Sequence, residues 1–410
     1  MGKHLRLFGW SALVLPALLV AGCAGAPDAP VSASPSAASA ASSHQPDSPQ
    51  SNAAATNSAE SVSAPKAEQM MSCHQLAGQL SVPEQVGQLF MVGVQVGTAP
   101  EEMFGQLEAQ HIGSVILLGQ RSGLTAVQAE TSRYQQNFPE LLIAADQEGG
   151  LVQRLAGSGF ETIPSAVEQG KLPDEQLRSN WQRYAREMRN AAVRYDLAPV
   201  ADVVPADQVS NNAPVGQLER AFSSDSGVVA DKVTAVVQGL SDGRVASSVK
   251  HFPGLGRVPE NTDFAVGHDR VSQLTEEELR PFQAAIDAGV SSVMISSAIY
   301  DLVDPGVPGV FSAVIIEDIL RGRMGYQGLV ISDDLGAAVA VAAFSADQRA
   351  LRFFAAGGDL LISADPGLTA QMVSATRAKA AADPQFAASV TEKAGRVLKL
   401  KSSVGLVSCS

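Results

Sequence analysis

Eight short apolar runs constrain the fold of this chain more than any other feature: Leu89–Val94, Ser114–Leu118, Leu141–Asp146, Leu197–Val203, Ala246–His251, Ser291–Ser296, Leu329–Asp333 and Asp359–Ser363. Each is apolar at consecutive rather than alternate positions, the pattern of strands covered on both faces, as in parallel sheets. Helix-patterned stretches fall between most of them, clearest at Glu175–Tyr195, Val228–Leu240, Thr275–Ala288, Ser312–Arg323, Ala346–Ala356 and Gln371–Lys379. Thr275 and Ser312 read as N-caps, and Glu278 completes a capping box with Thr275. Eight strands alternating with helices over roughly 330 residues predict an α/β fold, a (β/α)8 barrel. A doubly wound open sheet shares the alternation. The polar residues favour the barrel, because Asp146, Asp202, Lys250, His251 and Asp333 fall at or just after strand C-termini, where a barrel builds its active face.

Only part of the 410 residues takes part in that pattern. Residues 1–22 read as a signal peptide, with Lys3, His4 and Arg6 before the mostly apolar stretch from Leu5 to Val20. Val20-Ala21-Gly22-Cys23 resembles the bacterial lipobox, which implies lipidation of Cys23 and anchoring at the outer face of the cytoplasmic membrane. Of the 49 residues from 24 to 72, 32 are Ala, Ser or Pro and none is Leu, Ile, Phe, Trp or Tyr, so segment 23–72 is expected to be a disordered tether. The folded domain is expected over 73–410, as a monomer. Cys73 and Cys409 flank it, and in an oxidising envelope they are expected to form a disulfide, the alternative being two free thiols. With 29 basic against 42 acidic residues the net charge is −13, which weighs against nucleic acid as a partner. Six histidines, three of them at or before the domain edge, show no metal-binding spacing, so neither metal nor cofactor is expected.

Two segments carry the chemistry: Ala145-Asp146-Gln147-Glu148-Gly149-Gly150, continuing through Arg154, and Lys250-His251-Phe252-Pro253-Gly254-Leu255-Gly256. Both resemble signatures of the glycoside hydrolase family 3 β-N-acetylglucosaminidases, the NagZ-like group. Ala198-Pro199-Val200-Ala201-Asp202, Arg220-Ala221-Phe222-Ser223 and Ile331-Ser332-Asp333-Asp334-Leu335 resemble further motifs of that family, in the same order. The resemblance implies a retaining hydrolase acting on terminal β-linked GlcNAc of cell-wall fragments, with Asp333 as nucleophile and Asp334 as a helix-capping neighbour. It implies sugar contacts from Asp146, Arg154, Arg220, Lys250 and His251. Charged groups suit such a ligand because every hydroxyl both donates and accepts.

One loop departs from the family pattern. The relatives continue from Lys-His-Phe-Pro-Gly-His-Gly to an Asp followed by Ser-His, and that His protonates the leaving oxygen. Here Leu255 replaces the second histidine, Asp263 comes two places late, and Phe264-Ala265 follow it, so Ala265 stands where the acid would be. Three readings stay open: His268 takes the role, a carboxylate (Asp263 or Glu260) takes it, or the acid is supplied weakly and activity is low. The last reading shades into a sugar- or muropeptide-binding lipoprotein with degenerate catalysis; a family 3 β-glucosidase is a further alternative.

Overall fold

The computed structural model describes residues 71–410; the signal segment, Cys23 and the tether up to residue 70 lie outside the described residues. Eight parallel strands close into one barrel: β1 (Phe90–Gln95), β2 (Ser114–Leu118), β3 (Leu142–Ala145), β4 (Tyr195–Asp196), β5 (Ala246–Phe252), β6 (Ser292–Ile295), β7 (Leu329–Asp334) and β8 (Leu360–Ser363). Each strand pairs with the next in sequence, and β1 closes the ring against β8 with Phe90 opposite Leu361. Helices on the outside complete a (β/α)8 barrel rather than an open sheet. Strands β3, β6 and β8 are buried at every position, as consecutive apolar residues require when side chains alternate between barrel interior and helix layer.

The expected strand at Leu197–Val203 is displaced. The ladder includes only Tyr195 and Asp196, followed by a single bridge from Val200 to Lys250. Pro199 has no N–H to donate, so the apolar run continues as irregular buried chain instead of strand. The helix expected at Glu175–Tyr195 spans Asp174–Asn190, which leaves Tyr195 to the barrel. That expected from Ser312 begins at Val314 and winds as a π-helix to Arg323, with Ser312 Oγ accepting from the N–H of Ile315. Thr275 and Glu278 form the expected capping box on the helix Glu276–Asp287. Among the described residues no helix is long and apolar enough to cross a membrane.

Cys73 and Cys409 are joined in a disulfide, with Cα atoms 4.8 Å apart and 336 positions apart in sequence. The helix Cys73–Gln79 packs against the last helix, Pro384–Ser403, and the N–H of Cys73 donates to the Ser410 carbonyl at 3.1 Å. The bond therefore ties together the two ends of the barrel domain. A loop of this length corresponds to about 5 kcal/mol of denatured-state entropy. Reduction, or Cys73→Ser, is expected to lower the unfolding temperature by roughly 7 °C for a domain of this size, measured by calorimetry with and without reductant.

Candidate active site

At the C-terminal mouth of the barrel lies a cavity of about 300 Å³. Asp146, Arg154, Arg220, Lys250, His251, Asp263 and Asp333 all line it, although they come from five separate stretches of chain. The volume is at the lower end of the range for small-ligand sites, ~300–1,000 Å³, and matches a single small polar unit.

The segment after β3 builds one wall. Gln147–Gly149 pairs with Val152–Gln153 in a short antiparallel hairpin. Alternation along it gives Asp146 and Glu148 to the cavity, while the Gln147 side chain turns away and bonds both the N–H and the C=O of Leu155 at 2.9 Å. Gly149 turns at φ +99°, and a Cβ there would meet the Pro164 carbonyl at 2.4 Å, so only glycine allows the turn to pack so closely.

Glu148, a residue of the motif to which the sequence attaches no role, is the hub of the site. Its carboxylate accepts two bonds from Arg220, at 2.7 and 2.8 Å, and an ion pair from Lys250 at 2.6 Å. Lys250 also donates to Asp146 at 2.6 Å. Burial by itself would raise the Glu148 pKa; the charges of Arg220 and then Lys250 overturn this and hold the carboxyl well below the usual carboxylate range. Burial likewise opposes the Lys250 charge, but Asp146 and Glu148 raise its pKa above the ordinary lysine value. Glu148→Gln would leave two buried cations short of their counter-charge. It is expected to cost about 3 kcal/mol of stability in denaturant unfolding, and to raise KM for substrate through loss of order in Arg220.

His251 is oriented from behind. Its Nδ1 lies 2.7 Å from Asp202 Oδ2, and its Nε2 lies 3.3 Å from Arg220 Nη2. The Asp202 contact holds the ring with Nε2 turned toward Arg220. Asp202 itself is fully buried and held by the N–H of Leu255 at 2.7 Å. Deeper in the barrel, Asp196 accepts from the N–H of Gln147 and keeps one oxygen without a partner; burial pushes its pKa up to about 8. Arg154 contributes a buried Nε that has no hydrogen-bond partner within the protein.

The two aspartates that end β7 divide their tasks. Asp334 accepts from the backbone N–H groups of Gly336, Ala337 and Ala364 at 2.7–2.8 Å, which organises the turn after the strand. Asp333 accepts only from the N–H of Asp334 at 2.9 Å and lines the cavity. Burial raises the Asp333 pKa most; the charge of Asp263 adds to this, and His251 counteracts part of it. Asp263 is exposed at the mouth, yet the protein around its carboxyl raises its pKa, and the charge of Asp334 raises it further. The loop carrying Asp263 is clasped by the loop after β7: Val339 donates to the Asp263 carbonyl at 3.2 Å and Ala340 to that of Thr262 at 3.1 Å.

His268 is not brought to this cavity. It sits in a two-residue ribbon, His268–Asp269 beside Ile299–Tyr300, and its Nδ1 faces Asp301 at 3.2 Å. Glu260, the other carboxylate considered, does not line the cavity either; it accepts from the N–H of His268 at 3.4 Å. Among the described residues there is no cluster of three or more His, Cys, Asp or Glu able to hold a metal.

Residues 81–400 match the glycosyl hydrolase family 3 N terminal domain. A β-hexosaminidase of Xanthomonas oryzae pv. oryzae is 34% identical over 300 residues, covering 69% of this chain and 87% of the relative. Among solved structures, a β-N-acetylhexosaminidase from Beutenbergia cavernae superposes with a TM-score of 0.77 at 41% identity, covering 79% of this chain and 99% of that one. A family 3 β-N-acetylglucosaminidase from Paenibacillus gives a TM-score of 0.72 at 27% identity, over 80% of this chain and 63% of that one. A barrel of this topology, with its charged cavity at the strand C-termini and a family match across almost the whole domain, is that of a glycoside hydrolase, and the chain belongs to glycosyl hydrolase family 3.

Proposed function

We propose that the protein is an exo-acting, retaining β-N-acetylglucosaminidase that removes terminal β-linked GlcNAc from peptidoglycan-derived fragments, with Asp333 as nucleophile and Asp263 as acid/base. The observation that carries this reading is the pairing, in one monosaccharide-sized cavity, of a half-buried Asp333 with an Asp263 whose pKa is raised. Asp146, Arg154, Arg220, Lys250 and His251 supply donors and acceptors for the sugar hydroxyls and amide. In the first step the Asp333 carboxylate bonds to the anomeric carbon, the glycosidic C–O bond breaks, and the Asp263 proton passes to the leaving oxygen. In the second, Asp263 takes a proton from water, whose oxygen displaces Asp333.

The test is incubation with paired aryl β-glycosides of GlcNAc and glucose, and with a defined GlcNAc–MurNAc fragment, with and without phosphate. Release of GlcNAc in preference to glucose is expected. Intact mass of Asp263→Asn with an activated aryl glycoside is expected to rise by one N-acetylhexosamine residue, since attack proceeds without an acid but deglycosylation lacks its base. Binding without turnover would instead favour a muropeptide-binding lipoprotein. We also propose anchoring to the cell envelope through a lipid on Cys23, supported by Val20-Ala21-Gly22-Cys23 and testable by loss of membrane association in Cys23→Ser.

A further inference from the structure

We propose that Asp196 is a positioning residue for the sugar-binding wall: it fixes the peptide group between Asp146 and Gln147, and through it the depth at which Asp146 and Glu148 enter the cavity. The inference rests on the reading of Asp146 as a sugar contact. The ladder between β3 and β4 ends at the pair Ala145 and Asp196, where the N–H of Leu197 donates to the Ala145 carbonyl at 3.0 Å. Beyond that rung β4 gives way to irregular chain, and the N–H of Gln147 is taken by a side chain: Asp196 Oδ1 accepts it at 3.0 Å. The carbonyl of the same peptide group, that of Asp146, accepts from the N–H of Arg154 at 3.2 Å. The group is thus held at both ends. The Gln147 side chain ties the hairpin to its own second half at Leu155, and Asp196 ties it to the barrel. Asp196 is fully buried, where an N–H left without an acceptor costs most. The effect reaches beyond Asp146. Lys250 donates to Asp146 at 2.6 Å, and Glu148 receives Arg220 and Lys250 at 2.6–2.8 Å, so displacing this one peptide group loosens all four side chains. Burial raises the Asp196 pKa most; the N–H of Gln147 and the charge of Lys250 offset part of this, and Asp146 and Glu148 add to it. At neutral pH the group therefore acts as a neutral acceptor, a part that asparagine can also fill.

Steady-state kinetics on an aryl β-N-acetylglucosaminide, with amide hydrogen exchange over residues 146–153, test this in the full chain. Asp196→Ala is expected to raise KM about tenfold with kcat changed by less than about threefold, because groups on non-reacting hydroxyls hold substrate and transition state alike. It is expected to speed exchange over residues 146–153 and to leave exchange in β6 as it was. Asp196→Asn keeps an oxygen for the Gln147 N–H and is expected to bring KM to within about twofold of the wild type and to restore slow exchange. Wild-type KM in Asp196→Ala overturns the proposal, as does an equal defect in the two variants. A rise in KM accompanied by faster exchange throughout the barrel also overturns it, since that is general destabilisation. Should Asp196→Ala fail to fold, exchange of the Gln147 amide in the wild type decides: exchange as slow as in β3 supports the bond, and exchange as fast as in an exposed loop overturns it. Failure of the wild type to hydrolyse any β-N-acetylglucosaminide overturns the activity, whereas the hold on the hairpin is still read by exchange, without substrate.

Discussion

Asp333→Asn is expected to lower kcat/KM for an aryl β-N-acetylglucosaminide by about 10⁴-fold or more, about 5.5 kcal/mol of transition-state stabilisation, and to leave the unfolding temperature at neutral pH unchanged or higher. The two halves of this result have one cause. Burial raises the Asp333 pKa, so the ionised form that would attack the sugar in the proposed mechanism is the form the fold disfavours. A carboxyl whose folded pKa is raised contributes stability below its unfolded pKa and loses it as pH rises through the folded value. Asparagine stays neutral throughout, so the substitution removes that loss together with the nucleophile. Kinetics and thermal unfolding on the same sample separate this outcome from misfolding. Asp333→Gly with added azide gives a second readout. Azide should bond to the anomeric carbon from the vacated face and expel the aryloxide, yielding a glycosyl azide of inverted configuration. Activity undiminished in Asp333→Asn would remove the nucleophile assignment.

Asp263→Asn carries the other large effect, and its size should depend on the leaving group. Loss of a general acid is typically a factor of ~10²–10⁴ where the leaving oxygen needs a proton, and much less where it does not. A disaccharide should therefore lose about 10³-fold in kcat/KM, and an aryl glycoside with an acidic phenol less than about tenfold. The pH profile adds a sign. The proposed mechanism requires Asp333 ionised and Asp263 protonated, so the acidic limb should report ionisation of the first and the alkaline limb loss of the proton from the second. The charge of Asp263 raises the Asp333 pKa, and Asp334 raises that of Asp263, so the limbs belong to the group of carboxyls rather than to one residue each. Asparagine at 263 should abolish the alkaline limb and leave the acidic limb in place, since Asp263 is already neutral where Asp333 ionises. His268→Ala, outside the cavity and paired with Asp301, is expected to change neither limb. If His268→Ala reproduces the disaccharide defect and Asp263→Asn does not, the assignment of the acid is reversed.

The same two residues show how far the site is legible from sequence. Asp333 ends a buried apolar strand, so its address follows from the eightfold pattern: rigid backbone delivers it to the barrel mouth wherever helices and loops begin or end. The same holds for Asp146, Lys250 and His251, each next to a strand C-terminus. Glu148 lies within a recognised motif, but its role depends on Arg220 and Lys250, 72 and 102 positions away, meeting it in a buried space where charge pairing is strong.

Periodicity and strand-end chemistry in the sequence pointed to the barrel and to the face that carries its cavity, because parallel strands buried on both sides leave consecutive apolar runs and carry their final residues to one face; closure of the ring rather than an open sheet came from the pairing of β1 with β8. Only the tertiary structure shows that Asp263 lines the cavity and His268 does not. Their loop has no strand to set its course; its position comes from hydrogen bonds to Val339 and Ala340, donated by a loop more than 70 residues downstream, and from the ribbon that holds His268 beside Asp301. Backbone contacts of that kind leave no pattern in the side chains, so nothing in the spacing of residues 256–268 could announce which of the two would line the cavity.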